Sequence, residues 1–123
     1  MSTIVNVLVL DDDLDICNLF RALLKKMKGV NCVTACDPIE AMYKVENQEF
    51  KLVIVDYHLK QKSGIDFIKS LKRINKFNNL KYILISGNLE KKMVVEAIQL
   101  GVNDILVKPF GIDELYGKIR TVF

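Results

Sequence analysis

Four short apolar runs stand out in the distribution of hydrophobic and polar residues along the chain: residues 7–10, 52–55, 82–85 and 105–107. Runs of this length, apolar at successive positions, are typical of strands that are buried on both faces. Between them, apolar residues recur at the spacing of amphipathic helices. The pattern predicts strands at about 4–10, 31–36, 52–55, 81–85 and 104–107, and helices at about 14–28, from 38 onward, 64–75, 89–100 and 112–122.

Strands and helices alternate strictly, which is typical of right-handed β-α-β units that build a parallel sheet covered by helices on both faces. The first, third and fourth strands are continuously apolar, whereas the second contains Asn31 and Thr34 and the fifth has only three apolar residues. The two more polar strands are therefore expected at the edges. This predicts an α/β fold, with a single doubly wound, five-stranded parallel sheet of order 2-1-3-4-5 in a flavodoxin-like, three-layer α/β/α arrangement.

Residues that start and stop helices mark several boundaries. Asp13 is expected to cap the first helix. The sequence Asp37-Pro38-Ile39-Glu40 combines a capping acid, a proline in the first turn and a reciprocal glutamate. Asn88 is expected to cap the fourth helix and Gly101 to end it. The apolar stripe of the fourth helix is predicted to comprise Val94, Ala97 and Ile98.

Size and composition indicate one compact domain, expected to span residues 1–123 without an output domain. Half of the 123 residues are hydrophobic, 27% are charged and only two are prolines, which suits a packed core rather than a disordered chain. No apolar run reaches the roughly 20 residues of a membrane span, and no signal peptide is evident. We therefore expect a cytoplasmic protein without membrane contact, in which Cys17, Cys32 and Cys36 remain reduced thiols.

The net charge of +3 is unevenly distributed. Residues 60–81 contain seven basic side chains and only one acidic residue, Asp66. Four of the basic residues share one helix face: Lys69, Lys72, Arg73 and Lys76. We interpret this face as solvated and expect no direct binding to nucleic acid, because neither aromatic interleaving nor a recognition-helix motif accompanies the charge.

Each apolar run ends in a residue with reactive chemistry. Asp11 and Asp12 follow the first run, Asp56 the second, Ser86 the third and Lys108 the fourth. In a parallel sheet these positions lie along one edge, the edge at which open α/β sheets bind ligands. The set comprises three carboxylates, one hydroxyl and one amine, which suits a divalent cation and a phosphoryl group.

Three carboxylates at one sheet edge cannot all stay ionised without help. Two unit charges about 4 Å apart repel by roughly 4 kcal/mol at an effective dielectric constant near 20. Either protons are shared or a hard cation lies among Asp11, Asp12 and Asp56, and oxygen ligands suit Mg²⁺. A carboxylate can also act as a nucleophile and form an acyl phosphate. Lys108 and Ser86 then offer a cation and a hydroxyl donor to the phosphoryl oxygens.

The spaced set of motifs resembles a known family over essentially the whole chain. The segments VLVLDDD (7–13), LVIVDYHLKQKSG (52–64), YILISG (82–87) and ILVKPF (105–110) resemble the receiver domain of two-component response regulators. The resemblance implies a phosphoacceptor in a two-component or phosphorelay pathway, in which Asp56 takes a phosphoryl group from a phosphohistidine on a sensor histidine kinase or histidine phosphotransfer protein. Such a protein is not an enzyme in the usual sense and catalyses only its own phosphorylation and dephosphorylation.

The resemblance also implies a Mg²⁺ site made entirely of oxygen ligands. Asp12 and Asp56 would bind the ion directly, and Asp11 would bind it through water. The backbone carbonyl of His58, two residues past the acceptor, would complete the protein ligands. This implied site agrees with the three carboxylates that the strand ends are expected to bring together.

For the phosphoryl oxygens, the resemblance implies contacts from Ser86, Lys108 and the amide of Gly87. It further implies a cis peptide bond between Lys108 and Pro109, a state that costs an X–Pro bond only about 0.5–1 kcal/mol. Gly64, eight residues after the acceptor, lies where the family places its glycine.

Two positions depart from the family pattern. Lys60 replaces the common proline, which predicts a more mobile loop after the acceptor, and Ile105 replaces the aromatic residue that usually rotates between exposed and buried states. The usual switching route is therefore in question. For His58, two interpretations stay open: it contributes only its carbonyl, or its imidazole, with Asn88 across the site, governs how readily water reaches the acyl phosphate.

Phosphorylation is expected to change a protein-binding surface. Shifting a two-state equilibrium from 1:99 to 99:1 takes about 5.5 kcal/mol, whereas one charge-assisted hydrogen bond contributes roughly 1.5–3 kcal/mol. If Ser86 and Lys108 both bond to the phosphoryl oxygens, their combined contribution could approach the free energy that the switch requires. We therefore expect the surface of the fourth helix, fifth strand and fifth helix to change and to control binding of a downstream protein. A relay intermediate, an excised domain and a phosphorylation-dependent dimer all stay open.

Three other functions fit parts of the pattern. Asp-nucleophile phosphatases of the haloacid dehalogenase type share the order of Asp11, Asp13, Ser86 and Lys108, but Asp56 would then be unexplained. A flavodoxin-like nucleotide binder is rejected because three aspartates would repel the phosphate. A receiver that is never phosphorylated and serves only as a docking surface is disfavoured by the complete set of site residues.

Overall fold

A computed structural model describes residues 3–123 of the chain. Its strands and helices alternate as the hydrophobic pattern predicts. In chain order they are β1 (Val5–Leu10), α1 (Leu14–Lys25), β2 (Val30–Ala35), α2 (Pro38–Asn47), β3 (Leu52–Asp56), α3 (Gly64–Lys72), a 3₁₀ turn (Asn75–Phe77), β4 (Lys81–Ser86), α4 (Lys91–Leu100), β5 (Asp104–Val107) and α5 (Ile112–Val122).

The five strands form one parallel sheet in the order β2-β1-β3-β4-β5, so the predicted α/β topology is confirmed. β1 pairs along its whole length with β2, from Val5 beside Val30 to Leu10 beside Ala35. The chain continues to one side of β1 with β2 and to the other side with β3. The switch point between β1 and β3 is where doubly wound sheets bind ligands.

Helices cover both faces of the sheet. On one face, Phe20 of α1 and Leu115 of α5 pack against strand residues. On the other face, Ala41 of α2, Ile68 of α3 and Met93 of α4 do the same. All five side chains are fully excluded from water, and complete burial of a large apolar side chain contributes roughly 1.5–3 kcal/mol. The packed sheet therefore holds the residues at its carboxyl edge in fixed positions.

Two of the predicted helix starts are confirmed. The carboxylate of Asp13 accepts the N–H of Asp15 at 2.9 Å and caps α1. The carboxylate of Asp37 accepts the N–H of Glu40 at 2.8 Å and caps α2. The side chain of Glu40 reaches back to the N–H of Cys36, at 2.7 Å, one residue earlier than the capping-box pattern predicts.

The predicted start of α4 is wrong. The helix begins at Lys91, and its N-cap residue is Glu90, whose side chain makes no capping hydrogen bond. Asn88 lies in the preceding turn, where its N–H and its carbonyl both bond to the hydroxyl of Ser86. The local turn after β4 therefore holds Asn88 two residues ahead of the N-cap position.

The predicted apolar stripe of α4 is wrong at one position. Met93 and Ala97, one helical turn apart, are buried, and Val94 is half-buried, but Ile98 is 71% exposed. Successive residues of a helix point about 100° apart, so a core contact centred on Met93 and Ala97 leaves Ile98 on the outer side. Gly101 ends the helix with φ +78°, as expected.

Two helices are shorter than predicted. α1 ends at Lys25 because the N–H groups of Lys26 and Met27 bond to carbonyls only three residues back, which tightens the last turn. α3 ends at Lys72, and the 3₁₀ turn follows it. Within residues 3–123, no helix combines the length and the apolar character needed to cross a membrane.

Candidate functional site

Three carboxylates meet at the carboxyl edge of the sheet. Asp56 ends β3, and Asp11 and Asp12 follow β1, the neighbouring strand. Each residue offers one oxygen, and these three oxygens lie within 4.8 Å of one another. Asp11 and Asp56 are buried, and Asp12 is half-buried. A cluster of oxygen donors of this kind suits Mg²⁺, which binds carboxylates together with retained water molecules.

Lys108 brings a positive charge to two of these carboxylates. Its Nζ atom lies 3.2 Å from Oδ2 of Asp11 and 3.4 Å from Oδ2 of Asp56. Its N–H donates to the carbonyl of Ser86 at 2.8 Å, and the Lys108–Pro109 peptide bond is cis, as predicted. Burial alone would lower the pKa of Lys108, but the carboxylates of Asp56 and Asp11 outweigh burial and raise that pKa. The amine therefore stays charged at neutral pH.

Asp56 has a raised pKa in this arrangement. Burial is the main cause, and the carboxylate of Asp11 acts in the same direction. The ammonium of Lys108 and the N–H of His58, 3.3 Å from Oδ1 of Asp56, lower the pKa but do not offset the rise. The negative charge of ionised Asp56 is therefore not fully compensated by its neighbours. A cation among the carboxylates would compensate it.

Ser86 ends β4 and is fully buried. Its hydroxyl donates to the carbonyl of Asn88 at 2.6 Å and accepts the N–H of Asn88 at 3.3 Å. The hydroxyl is therefore engaged in its own turn and has to rotate before it can donate to a phosphoryl group on Asp56. Gly87, whose amide is the other predicted phosphoryl contact in this turn, is exposed.

Comparison with known families decides what kind of domain this is. The family model described as the response regulator receiver domain matches residues 7–120. The chain belongs to this family. The fold and the positions of the three carboxylates agree with the resemblance that the sequence motifs carry.

Relatives of this receiver differ in length and in described role. Chemotaxis protein CheY-3 of Vibrio cholerae is 27% identical over 117 residues, which cover 95% of this chain and 90% of CheY-3. The transcriptional regulatory protein CpxR homologue of Haemophilus influenzae is 32% identical over 116 residues, which cover 94% of this chain and 49% of that protein. The structure of response regulator TrrA from Thermotoga maritima, in complex with Mg²⁺ and BeF, has a TM-score of 0.84 and 25% identity, covering 98% of this chain and all of TrrA.

Lys60, which departs from the family pattern, makes a contact that proline could not make. Its backbone N–H donates to Oδ2 of Asp12 at 2.8 Å, and proline has no N–H to donate. This bond ties the loop after β3 to the end of β1 and works against the extra mobility expected from the loss of proline. It also fixes the direction of one carboxylate of the acidic cluster.

The imidazole of His58 lies on the open side of the receiver site. Its Nε2 atom is 3.7 Å from Oε1 of Glu90, and both side chains are largely exposed. The ring also meets the ring of Tyr57 edge-on, with centroids 4.8 Å apart. Of the two interpretations of His58, the contacts favour neither: its backbone N–H bonds to Asp56, and its imidazole is exposed beside Glu90.

One connection was not predicted from the sequence. The hydroxyl of Tyr57, the residue after the acceptor, donates to Oε1 of Glu96 on α4 at 3.0 Å. The N–H of Tyr57 donates to the carbonyl of Ile85 at 2.8 Å, so the residue links the end of β3 to both β4 and α4. Ile105, which stands in place of the family's aromatic residue, packs half-buried against the core on the α4 side of the sheet. No sequence motif marks the pair of Tyr57 and Glu96, which are 39 residues apart.

Asp13 lies outside the acidic cluster. It is exposed, and its carboxylate is used to cap α1 through the N–H of Asp15. The N–H of Asp13 itself donates to Oδ1 of Asp11 at 2.9 Å. The second aspartate of a D-x-D phosphatase motif is therefore directed to the helix, whereas Asp56, which such a phosphatase leaves without a role, is in the cluster.

Gly64 approaches the backbone of the acceptor so closely that no side chain fits. A Cβ atom at this position would lie 2.3 Å from the carbonyl oxygen of Asp56 and 2.8 Å from Cγ1 of Val55. The N–H of Gly64 also donates to the carbonyl of Tyr57 at 2.9 Å. The first residue of α3 is thus packed against the segment that presents Asp56.

Replacing Gly64 with alanine should therefore lower the free energy of unfolding by about 1–3 kcal/mol, the range found for overpacked interiors. The matched control is Gly117→Ala in the middle of α5, where a Cβ atom would meet nothing within 4 Å. That change should raise the free energy of unfolding by roughly 0.5–1 kcal/mol. Chemical denaturation measures both, and equal stability of the two variants would contradict the close approach at Gly64.

Proposed function

We propose that this receiver domain accepts a phosphoryl group on Asp56 from a phosphohistidine of a sensor histidine kinase or a histidine phosphotransfer protein. The observation that carries the proposal is the cluster of three carboxylates within 4.8 Å, in which the ammonium of Lys108 contacts Asp11 and Asp56. Membership of the family supports it, because receiver domains are signalling phosphoacceptors rather than classical enzymes.

Mg²⁺ is the cofactor proposed for this site. Its ligands would be the carboxylates of Asp12 and Asp56, the carboxylate of Asp11 through water, and the backbone carbonyl of His58. All are oxygen donors, which Mg²⁺ prefers. The complex of TrrA with Mg²⁺ and BeF supports the same chemistry in a relative. When bound, the ion would neutralise charge between the acceptor and the incoming phosphoryl oxygens.

The transfer forms one bond and breaks one. A carboxylate oxygen of Asp56 attacks phosphorus, the P–N bond to the donor breaks, and its electron pair returns to the imidazole, which keeps the proton on its other nitrogen and leaves neutral. The product is an acyl phosphate on Asp56. The ammonium of Lys108, 3.4 Å from this carboxylate before transfer, then binds a phosphoryl oxygen. The hydroxyl of Ser86 turns from Asn88 to a second oxygen, and the amide of Gly87 assists.

Movement of Lys108 and Ser86 toward the phosphoryl group is the proposed source of the signal. Each charge-assisted hydrogen bond contributes roughly 1.5–3 kcal/mol, so the two together approach the roughly 5.5 kcal/mol that a full switch requires. Because Ser86 ends β4 and Lys108 follows β5, both strand ends would be drawn inward. The contacts that couple this motion to α4 are the bond between Tyr57 and Glu96 and the packing of Ile105, without an aromatic rotation.

Phosphorylation should therefore change amide hydrogen exchange in α4, β5 and α5 while leaving α2 unchanged. The physical reason is that α4 and β5 adjoin the two residues that move, whereas α2 packs against β2 and β1, at the opposite end of the strand order from β5. Hydrogen exchange followed by mass spectrometry, with and without acetyl phosphate, measures both regions. Equal protection of α4, β5 and α5 in the two samples would rule out the proposed surface change.

Phosphoryl uptake itself tests the proposed function. The protein is incubated with acetyl phosphate and Mg²⁺, and intact-mass spectrometry is expected to show one added phosphoryl group, which peptide mapping places on Asp56. Chelation of the metal by EDTA should suppress uptake. Absence of uptake with Mg²⁺ present would refute the proposal and favour a receiver that acts only as a docking surface.

A phosphatase of the haloacid dehalogenase type is the alternative from another functional class. The position of Asp13 at the cap of α1, away from the carboxylate cluster, weighs against it. Incubation with a chromogenic phosphate ester separates the two functions. We expect no catalytic turnover of the ester, and sustained turnover would overturn the assignment as a phosphoacceptor.

The imidazole of His58 is proposed to control the lifetime of the acyl phosphate. His58 is two residues after the acceptor, and its exposed imidazole lies 3.7 Å from Glu90, so the ring would limit the approach of water to Asp56. His58→Ala should keep the N–H and carbonyl at this position and shorten the dephosphorylation half-life several-fold. Loss of radiolabel from the phosphorylated protein measures the half-life, and an unchanged value removes the imidazole from the mechanism and leaves His58 with its carbonyl alone.

The downstream partner is proposed to be another protein that binds the changed surface. The named relatives include a chemotaxis protein and a transcriptional regulatory protein, and the chain spans about half the length of the latter. The expected lack of direct contact with nucleic acid therefore stays a prediction. The basic face of α3 and the turn after it is exposed at all four of its residues: Lys69, Lys72, Arg73 and Lys76.

A further inference from the structure

Two cysteines on facing elements come together beside the acidic cluster and have no part in the proposed phosphoryl transfer. Cys17 lies in α1 and is buried, and Cys36 follows β2 and is exposed. Successive side chains of a strand point to opposite faces. Thr34 of β2 points toward α1, because Arg21 of α1 donates a hydrogen bond to its hydroxyl. Cys36 is the residue directly after β2, and continued alternation would place its side chain on the α1 side as well.

The hydrogen bonds of Arg21 relate the two elements along their length. A helix that connects two parallel strands runs antiparallel to them. The guanidinium of Arg21 donates to Thr34 of β2 and also to Asn18, three residues earlier in α1. Thr34 therefore lies beside the first half of α1, and the end of β2 lies beside the turn that contains Cys17.

The contacts of Cys17 agree with this placement. Its Sγ atom is 4.0 Å from the carbonyl oxygen of Ala35, the residue directly before Cys36, and 3.3 Å from the carbonyl oxygen of Asp11. The N–H of Asp11 donates to the same carbonyl of Ala35 at 3.2 Å. The buried thiol thus points at the end of β2, beside the residue that directly precedes the exposed Cys36.

Cys32, the third cysteine, is too far along β2 to pair with Cys36 in the folded protein. It pairs with Val7, near the middle of β1, and lies four strand residues before Cys36. At about 3.3 Å per residue the Cα atoms of Cys32 and Cys36 are roughly 13 Å apart, whereas a disulfide tolerates at most about 7 Å. The fold therefore excludes the pairing of Cys32 with Cys36. Of the two pairings that remain for Cys17, the contact of its Sγ atom with the carbonyl of Ala35 favours Cys36.

We propose that Cys17 and Cys36 form a reversible intramolecular disulfide when the protein meets a peroxide. The sulfur of Cys36 attacks one peroxide oxygen, the O–O bond breaks, and a sulfenic acid and one water result. The sulfur of Cys17 then attacks the sulfenic sulfur, the S–O bond breaks, and the hydroxyl leaves as water with the proton of the Cys17 thiol. Two thiols lose two electrons in total, and the peroxide is reduced to two water molecules.

The bond would cross-link α1 to the turn between β2 and α2, next to one residue of the acidic cluster. In the reduced protein, the thiol of Cys17 donates to the carbonyl of Asp11, and the disulfide removes this donor. The receiver site would thus have an oxidation-sensitive link in direct contact with the backbone of Asp11. The inference depends only on the packing of α1 against β2 and stands whether or not Asp56 is phosphorylated.

Peptide mapping after oxidation tests the pairing. The folded protein is treated with hydrogen peroxide, remaining thiols are alkylated, and a non-reducing tryptic digest is analysed by mass spectrometry. The peptide that ends at Arg21 and contains Cys17 should be linked to the peptide 29–44, which contains Cys32 and Cys36. The link should persist in Cys32→Ser, disappear in Cys36→Ser, and be released by dithiothreitol. A link that survives in Cys36→Ser, or one found only between two molecules, overturns the proposal.

The same oxidation in urea is the control for geometry. In an unfolded chain the short loop between Cys32 and Cys36 should close roughly tenfold more readily than the longer loop to Cys17. We therefore expect the Cys32–Cys36 pair to dominate in urea and the Cys17–Cys36 pair to dominate in buffer. Because Cys36→Ser changes an exposed position, its fold should be retained. The urea pattern appearing in the folded sample would contradict the placement of Cys17.

Discussion

Replacing Asp56 with asparagine is expected to abolish phosphoryl uptake while making the metal-free protein more stable. Burial and the nearby carboxylate of Asp11 raise the pKa of Asp56 above its ordinary value of 3.8. The native state therefore holds this proton more tightly than the unfolded state does. By linkage, stability falls as the pH rises from 3.8 through the raised pKa of the folded state. At neutral pH the ionised carboxylate destabilises the fold, and asparagine removes that charge together with the nucleophile.

Two measurements on the same variant separate chemistry from folding. Intact-mass spectrometry with acetyl phosphate and Mg²⁺ should show no added phosphoryl group, and thermal unfolding in EDTA at pH 7 should show a higher Tm than that of the wild type. The gain in Tm should shrink as the pH falls through the raised pKa of Asp56, because the wild-type carboxyl then takes up its proton. A lower Tm for Asp56→Asn would contradict the charge argument, and retained uptake would exclude Asp56 as acceptor.

Asp13→Asn is the matched control for this experiment. It makes the same chemical change at the third residue of the run Asp11-Asp12-Asp13, which is exposed and caps α1. Asparagine caps helices about as well as aspartate does. Uptake and Tm should therefore both stay close to the wild-type values. A loss of uptake in this control would show that the motif of three aspartates acts as a unit, which the position of Asp13 does not predict.

The topology could be predicted from the sequence because a few strong physical rules act on long segments. Continuous apolar runs mark β1, β3 and β4 as buried on both faces, and the handedness of β-α-β connections leaves few arrangements of the sheet. The edge positions of β2 and β5 followed from their more polar composition. Once the order of strands is fixed, Asp11 and Asp56 have to end on neighbouring strands. The central pair of carboxylates was therefore predictable without any knowledge of side-chain conformation.

Contacts that depend on the path of a loop could not be predicted in the same way. The bond from the N–H of Lys60 to Asp12 needs the backbone of the loop after β3 to turn toward β1. The sequence showed only that Lys60 replaces the proline common in the family. From that replacement alone, a more mobile loop was expected. A backbone donor leaves no signal in a side-chain pattern, so the tie to Asp12 became visible only in the structure.

The start of α4 was mispredicted for a related reason. Asparagine is a good helix cap, but Ser86 engages both the N–H and the carbonyl of Asn88 in a turn of its own. This turn delays the helix until Lys91. The error at Ile98 has a separate cause: the core contact of α4 is centred on Met93 and Ala97, which leaves Ile98 on the outer side. Local competition between a side-chain turn and a helix cap is decided by geometry that propensities do not contain.

Replacing Lys108 with methionine should lower the free energy of unfolding of the metal-free protein by about 2–4 kcal/mol, because it leaves buried carboxylates without a partner. The Asp11 side chain is fully buried and that of Asp56 is 9% exposed, whereas Lys108 itself is 25% exposed. Lys108 is partly exposed, and Asp56 can take up a proton when the ammonium is removed. For both reasons, the expected loss in free energy of unfolding is somewhat below the 3–5 kcal/mol found for fully buried pairs. Lys118→Met makes the same change at the ion pair with Asp104.

The comparison of the two lysines tests whether burial or distance governs these ion pairs. The pair of Lys118 and Asp104 is the shorter, at 2.9 Å, but its side chains are 24% and 35% exposed, so its loss should cost less than about 1 kcal/mol. Urea denaturation in EDTA measures both variants. Because the carboxylates raise the pKa of Lys108, its contribution is present below its ordinary value of 10.5 and is lost only as the pH rises through the raised folded-state value.

Added Mg²⁺ should restore much of the stability lost in Lys108→Met and none of that lost in Lys118→Met. The reason is that a cation among Asp11, Asp12 and Asp56 replaces the missing ammonium at two of the same carboxylates, whereas Asp104 lies outside the cluster of residues that could hold a metal. Binding to the native state alone stabilises it in proportion to the logarithm of ligand concentration. Two outcomes would contradict this mechanism. One is an equal loss in free energy of unfolding for the two variants, and the other is no selective recovery of Lys108→Met with Mg²⁺. Either result would show that Lys108 and the metal do not bind the same carboxylates.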